Sequence, residues 1–143
     1  MIYGIGTDIV QISRIRTVLE RHGEAFAARI LADAEWGQWQ TIRDQARFLA
    51  KRFAAKEAFG KALGIGLSPP ATLRSLAVQH DERGRPSFVY DETLAAYMES
   101  NALRACLSLT DEKEYVVAFA VVEYASNAIP PTSDGETLSR GET

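Results

Sequence analysis

The segment RFAAKEAFGKALG, residues 52–64, predicts the element that decides the fold. It is rich in good helix formers and contains no proline, so we expect a helix. At spacings of three and four residues, one strip of that helix carries Ala54, Glu57, Lys61 and Gly64. An acid and a base one turn apart most often form an ordinary surface pair, worth about 0.2–0.5 kcal/mol. The small residues on the strip favour a second interpretation, in which space is left beside the charged pair for a ligand.

The sequence on both sides gives this helix its bounds, near Asp44 and near Leu63. Its apolar side chains, which we expect to be buried, are Phe48, Leu49, Phe53 and Phe59. Residues 64–70 then read GIGLSPP. The glycines release the backbone, and the two prolines prevent another helical turn.

The N-terminal part is predicted to be a strand followed by short helices. An apolar, glycine-containing strand covers residues 2–7 and ends at Asp8. Apolar residues at helical spacing predict a helix over 11–22. A short helix at about 24–30 follows, and another begins near Asp33, the expected N-cap.

The C-terminal part is richer in strands. Residues 73–80 and 86–90 predict two strands joined by a polar turn, and a helix covers about 92–100. The segments RACLSLT and YVVAFAVVEY, residues 104–110 and 115–124, predict a closing hairpin. The last strand is apolar on both faces, so we expect it to be central or covered. The fold class is therefore α+β, with a mainly antiparallel sheet packed on one long helix.

Length and composition bound the class of protein. A chain of 143 residues, 46% hydrophobic and 24% charged, suits one globular domain, which we place at residues 1–125. Residues 126–143 are polar and without periodicity, and we expect a disordered tail. No apolar run is long enough to span a bilayer, and the first residues do not resemble a signal peptide. The single cysteine, Cys106, cannot form an internal disulfide; we interpret it as core filler and expect a cytoplasmic protein.

The charge is unevenly distributed along the chain. Residues 1–61 hold ten Lys or Arg and seven Asp or Glu, whereas residues 62–143 hold six and twelve. The basic excess between Arg43 and Lys61 favours an anionic partner, either a phosphate-bearing molecule or an acidic protein surface. A nucleic acid is not indicated, because no basic stretch is interleaved with aromatic residues.

Asp8 and Glu57 are the candidate metal ligands. If the long helix crosses the end of the first strand, their carboxylates converge. Mg²⁺ is usually held by one or two carboxylates together with substrate phosphates. Lys61 would then meet the same phosphates as a point charge. The alternative for Asp8 is a simple cap of the helix over 11–22.

Other familiar motifs are not matched. GIGTD, residues 4–8, lacks the Gly-Lys-Ser/Thr of a P-loop and the third glycine of a dinucleotide fingerprint. His22 and His80 are far apart in sequence, so we interpret both as surface or turn residues.

Three segments in order resemble the holo-[acyl-carrier-protein] synthase family, the small phosphopantetheinyl transferases. They are GIGTDIV (4–10), RFLAKRFAAKEAFGKALGIGL (47–67) and LSLTDEKEYVVAFAVVE (107–123). Between the last two, DERGRPSF (81–88) looks like the Gly-Lys/Arg-Pro turn of that family. The resemblance covers about residues 1–124 and implies a phosphopantetheinyl transferase-like fold.

The resemblance also implies an activity. Members move 4′-phosphopantetheine from coenzyme A to a serine of apo acyl carrier protein, by default one of fatty acid biosynthesis, and require Mg²⁺. By position, Asp8 and Glu57 would bind the metal, and Lys61 a phosphate of coenzyme A. The nucleotide would be seated by Arg52, Gly64 and Pro86. Arg14 and Arg21, which share a helix face, would meet the acidic carrier protein.

One position departs from the common pattern of the family. Many members have His where this chain has Asp111. Asp111 would be a base, an indirect metal contact through water, or a turn residue. Longer relatives contain two such halves, and short members form homotrimers with sites between subunits. Ser108 and Asp111 would then come from the neighbouring chain.

Two other functions compete with transfer. One is a non-catalytic module that binds coenzyme A or a carrier protein, although such a module has no need for the Asp8–Glu57 pair. The other is a different Mg²⁺-dependent enzyme acting on a phosphate bond, such as a hydrolase that releases free phosphopantetheine.

Overall fold

The computed structural model describes residues 1–125. The expected tail, residues 126–143, lies outside the described residues, so the division of the chain at that point stays a prediction. The elements in chain order are β1 (Ile2–Gln11), α1 (Ile12–His22), α2 (Glu24–Ile30), a 3-10 turn (Asp33–Glu35), α3 (Trp36–Thr41), α4 (Gln45–Leu63), a second 3-10 turn (Leu73–Ser75), β2 (Leu76–His80), β3 (Pro86–Tyr90), α5 (Glu92–Ser100), β4 (Leu103–Asp111) and β5 (Tyr115–Tyr124).

The strands form two antiparallel sheets, one of three strands in the order β1-β5-β4 and one of two strands, β2-β3. The predicted α+β class and antiparallel sheet are confirmed, and β5 is central as expected. Helix α4 lies against β1 and β5 and is buried on most sides. The long helix is therefore the centre of the fold.

The ends of α4 are set by local chemistry. The Asp44 side chain accepts a hydrogen bond from the backbone N–H of Arg47 and caps the first turn. Gly64 ends the helix in the left-handed conformation, at φ 86°. Both predicted ends of the helix are confirmed.

Two glycines of β1 allow α4 to pack directly on the strand. A Cβ atom on Gly4 would lie 2.0 Å from the Ala62 carbonyl oxygen, and one on Gly6 would lie 2.1 Å from that of Ala58. Real side chains do not approach backbone so closely, so only glycine fits at either position. The small residues of α4 thus serve close packing; Ala54, expected to leave space for a ligand, is fully buried.

Four local predictions are wrong. Strand β1 continues past Asp8 to Gln11, so Asp8 lies within a strand and does not cap α1. Asp33 is not a cap; the first 3-10 turn is instead held by Glu35, which accepts from the backbone N–H of Ala32.

The third and fourth errors concern strands and their facing. Residues 73–75 form a 3-10 turn, because the strand begins only at Leu76. Cys106 is exposed and not in the core, since the alternation of β4 points Leu103 and Leu107 inward and Cys106 to the opposite face.

Candidate active site

Asp8 and Lys61 meet where α4 crosses β1. Asp8 pairs with Ala118 of β5 and shares the helix-facing side of β1 with Gly6. The Lys61 ammonium donates to the Thr7 carbonyl oxygen at 2.9 Å and lies 3.3 Å from Asp8 Oδ1. The Lys61 side chain is 53% exposed, so it can leave Asp8 for another anion at little cost.

Glu57 lies one turn before Lys61 and is half-buried. Burial, followed by the negative charge of Asp8, raises the pKa of Glu57, and the charge of Lys61 offsets this only in part. Two carboxylates that repel each other in this way form an environment that favours a bound cation. Their oxygen chemistry and number suit Mg²⁺, which completes its shell with waters and phosphate oxygens.

Two clefts flank Asp8. One, of about 320 Å³, is lined by Asp8, Glu57, Arg14, Phe53 and neighbouring residues. The other, of about 340 Å³, is lined by Asp8, Lys61, Thr7, Ile9 and Val117. Asp8 is therefore open to a ligand from two clefts, one shared with Glu57 and the other with Lys61.

Asp111 is engaged elsewhere in the same chain. Strand spacing and rise place its Cα atom about 12 Å from that of Asp8, two strands away. Its Oδ2 accepts from Arg47 Nη1 at 2.7 Å, and its Oδ1 lies 3.1 Å from Lys51 Nζ. Burial raises the pKa of Asp111, but the hydrogen bonds and charges of Lys51 and Arg47 outweigh it and lower the pKa.

Arg52 is almost fully buried, with a side chain 2% exposed. Its Nε lies 3.0 Å from Glu35 Oε2, its Nη2 donates to Gln38 Oε1 at 3.1 Å, and the guanidinium stacks 4.2 Å above the Phe48 ring. Burial lowers the pKa of Arg52, although the charge of Glu35 opposes this. The Arg52 guanidinium is therefore largely engaged by contacts inside the fold.

A basic cleft of about 220 Å³ nevertheless lies beside Arg52. The residues that define this basic cleft are Gln38, Ile42, Arg43, Asp44, Arg47, Phe48, Lys51, Arg52 and His80. Burial, followed by the positive charges of Arg52 and Lys51, lowers the pKa of His80, and the charge of Asp81 opposes this.

The remaining predicted residues are spread over the chain. Gly64 caps α4 and Pro86 begins β3, where it pairs with His80. Ser108 lies on β4 opposite Phe119, on the sheet face away from α4. The structure thus brings Asp8, Glu57 and Lys61 together and leaves Asp111, Ser108 and Arg52 apart from them.

Sequence reasoning missed a buried charge network. Glu35 accepts from Lys56 Nζ at 2.6 Å and from the backbone N–H of Val78 at 3.0 Å, and Lys56 also donates to the Ile30 carbonyl at 2.7 Å. Lys56 is fully buried. No local pattern distinguishes it from a surface lysine, because its partners come from distant segments.

Comparison with known proteins identifies the family. A family model described as the 4′-phosphopantetheinyl transferase superfamily matches residues 4–120. The chain belongs to this superfamily.

Individual relatives of the superfamily agree. A holo-[acyl-carrier-protein] synthase of Azoarcus sp. is 64% identical over 123 residues, covering 86% of this chain and 98% of the relative. The crystal structure of the Neisseria meningitidis holo-[acyl-carrier-protein] synthase is 44% identical, with a TM-score of 0.83, over 86% of this chain and 99% of that one. A Bacillus anthracis holo-(acyl-carrier-protein) synthase, in complex with CoA (3′,5′-ADP), is 32% identical with a TM-score of 0.74, over 87% of this chain and 99% of that one. The predicted family, fold and enzyme class are confirmed.

Proposed function

We propose that this phosphopantetheinyl transferase moves 4′-phosphopantetheine from coenzyme A to a serine of an apo acyl carrier protein. Relatives that cover nearly the whole of residues 1–125 are holo-[acyl-carrier-protein] synthases, and one was crystallised with CoA (3′,5′-ADP). The observation that carries the proposal is the convergence of Asp8, Glu57 and Lys61 where α4 crosses β1. By the default for short members of the family, the proposed carrier protein is one of fatty acid biosynthesis, with a polyketide carrier as the alternative. Because coenzyme A and such carriers are intracellular, the proposal places the chain in the cytoplasm.

The reaction exchanges one bond to phosphorus for another. The serine Oγ bonds to the phosphorus that carries the pantetheine arm, and the phosphoanhydride bond to adenosine 3′,5′-bisphosphate breaks. The serine proton passes to a base. Glu57 acting through a water is the candidate for that base.

Asp8 and Glu57 would hold Mg²⁺ between them. When bound, the ion neutralises charge on the pyrophosphate and orients it for in-line displacement. Lys61 releases Asp8 and binds a phosphate oxygen as negative charge accumulates on that oxygen. Its position and its positive charge thereby stabilise the transition state.

The nucleotide end of coenzyme A requires other cations. The basic cleft, lined by Arg43, Lys51 and the largely buried Arg52, is proposed to supply them. Gly64 and Pro86 are proposed to contact the nucleotide as well. Gly64 offers backbone without a side chain, so a ligand can approach closely.

The carrier protein is proposed to dock on α1. Arg14 is exposed and lines the cleft that contains Asp8 and Glu57, so a serine delivered along α1 reaches the carboxylates. Arg21 is exposed farther along the same helix, beside an apolar groove that includes Val18 and Phe26. Acidic residues of a carrier would be steered by both arginines.

The enzyme is proposed to be a homotrimer with sites between subunits. The sheet face away from α4 exposes large apolar side chains, including Ile5 at 60%, Ile9 at 64% and Phe119 at 40%. A contiguous apolar face of this kind favours association. Ser108 lies on this face, so a neighbouring chain would cover it. By resemblance to the short members of the family, Ser108 and Asp111 are proposed to serve another copy's site.

Phe119→Asp tests the assembly by light scattering during size exclusion. We expect a trimer for the unmodified chain and a monomer for the variant. Val89→Asp is the matched control, because Val89 is equally exposed at 40% but lies in the β2-β3 sheet. A monomeric unmodified chain would contradict the assembly.

The reaction itself is tested by the intact mass of an apo acyl carrier protein incubated with this chain and coenzyme A. We expect a gain of one phosphopantetheine with Mg²⁺ and none with chelator. Coenzyme A binding without any mass gain would instead support a binding module. Free phosphopantetheine formed without carrier would support a hydrolase.

A further inference from the structure

Asp111 ends β4 on the sheet face that packs against α4. Its two carboxylate oxygens contact two different cations of that helix, Arg47 at 2.7 Å and Lys51 at 3.1 Å. These cations are one helical turn apart and are each about 30% exposed, at 28% and 32%. One carboxylate thus fixes two long side chains through charge-assisted contacts.

Arg47 extends this arrangement to the β4–β5 turn. Its Nη1 also donates to the Glu112 carbonyl at 2.7 Å, and its Nη2 to the Lys113 carbonyl at 3.2 Å. Its Nε lies 3.3 Å from Asp44 Oδ2, at the cap of α4. Four of the five N–H groups of this guanidinium are thereby used within residues 1–125, and one Nη2 N–H is left for a ligand.

Both cations held by Asp111 also line the basic cleft. Lysine and arginine side chains lose considerable rotamer freedom when they bind an anion, and a side chain that is already held loses less. A carboxylate placed behind the cations can therefore strengthen the binding of a phosphate in front of them, despite its own negative charge.

We propose that Asp111 is a positioning residue, which holds Arg47 and Lys51 in the geometry that receives a phosphate group of the donor in the basic cleft. The inference rests on the proposed function and adds the role of this residue. It also separates Asp111 from the base. A base needs a free oxygen within reach of the serine, whereas both oxygens of Asp111 are engaged by cations.

The isosteric variant Asp111→Asn separates a positioning role from a simple effect of charge, because the two predict opposite changes in the affinity for an anion. Loss of a negative charge alone tightens the binding of an anion. Loss of positioning weakens it. We expect calorimetry with 3′,5′-ADP to show binding about tenfold weaker, the KM for coenzyme A to rise similarly, and kcat to stay within about twofold.

Glu112→Gln is the matched control, since it removes the same charge from the adjacent residue, which contacts Arg47 only through its carbonyl. We expect its 3′,5′-ADP affinity to be unchanged. In a Lys51→Met background, Asp111→Asn should lose much of its effect, because one of its two partners is already absent.

Equal or tighter binding of 3′,5′-ADP by Asp111→Asn would overturn the inference. So would a large loss of kcat with unchanged KM and affinity, which would identify a base. If the unmodified chain neither bound 3′,5′-ADP nor modified a carrier, the proposed function would fail together with the inference.

Discussion

Gly6→Ala is the sharpest test of how α4 and β1 are built around the site. The added Cβ would lie 2.1 Å from the Ala58 carbonyl oxygen and 2.7 Å from the Ala62 amide nitrogen. An ordinary contact is about 3.4 Å or more, so strand and helix must separate by over an ångström. Overpacking of this kind costs about 1–3 kcal/mol, and a clash with backbone belongs at the upper end.

The expected change in melting temperature follows from the size of the domain. At about 2.1 cal/mol/K per residue, unfolding residues 1–125 has an entropy of about 0.26 kcal/mol/K. A loss of about 3 kcal/mol therefore lowers Tm by about 11 °C, measured by circular dichroism. Because Asp8 follows Gly6 by two residues on the same strand face, transfer activity should fall as well.

Gly37→Ala is the matched control, since a Cβ there meets nothing within 4 Å and Gly37 lies within α3. Alanine is the better helix former by about 0.5–1 kcal/mol, so Tm should rise by about 2–4 °C. A Gly6→Ala variant that melts within about 3 °C of the unmodified chain would refute the close packing of α4 on β1.

Three further predictions concern charged side chains. Lys56→Ala should lower the free energy of unfolding, measured in urea, by about 3–5 kcal/mol, because it removes a buried partner of Glu35. The control Lys113→Ala, on the exposed turn, should change the free energy of unfolding by less than about 0.5 kcal/mol. A small loss for Lys56→Ala would mean that the network is not tightly coupled. Glu57→Gln should stabilise the fold at pH 7–8, since the raised pKa of Glu57 means that folding disfavours its ionised form. Glu57 has no effect on stability below the ordinary carboxyl pKa, where it is protonated in both states, and it destabilises the fold as pH rises through its folded pKa. The melting temperatures of the variant and the unmodified chain should therefore converge in acid. A Glu57→Gln variant that is less stable than the unmodified chain at pH 8 would contradict this prediction. Lys61→Ala should lower kcat/KM for transfer by about 10²–10³-fold, the loss of one strong donor to developing charge. A near-normal kcat/KM in steady-state assays would remove Lys61 from the site.

The sequence predicted best where the signal is local. Asp44 and Gly64 mark the ends of α4 because capping and left-handed backbone depend on a few adjacent residues. Asp33 resembled a cap for the same reason, but the nearby Glu35 satisfies the backbone from inside the fold. Glu35 is itself held by Lys56 and Val78 from distant segments, so tertiary contacts overrode the local preference there.

The site was predicted in part. Asp8 and Glu57 were paired from their residue types and from the resemblance, and the fold does bring them together with Lys61. The pairing of Arg52 with Glu35, and of Asp111 with Arg47, depends on how distant segments pack. No spacing along the chain encodes such contacts, so sequence alone left the role of Asp111 open.

The central claim, that Asp8 and Glu57 serve Mg²⁺-dependent transfer, is tested most directly by the rate at which Asp8→Ala converts apo carrier protein to its holo form. The control is Asp33→Ala, because the Asp33 side chain is 96% exposed and, within residues 1–125, makes only a long ion pair at 3.7 Å. We predict that transfer by folded Asp8→Ala falls to the level seen with chelator, while Asp33→Ala keeps the unmodified rate. A near-normal rate for Asp8→Ala would contradict the account.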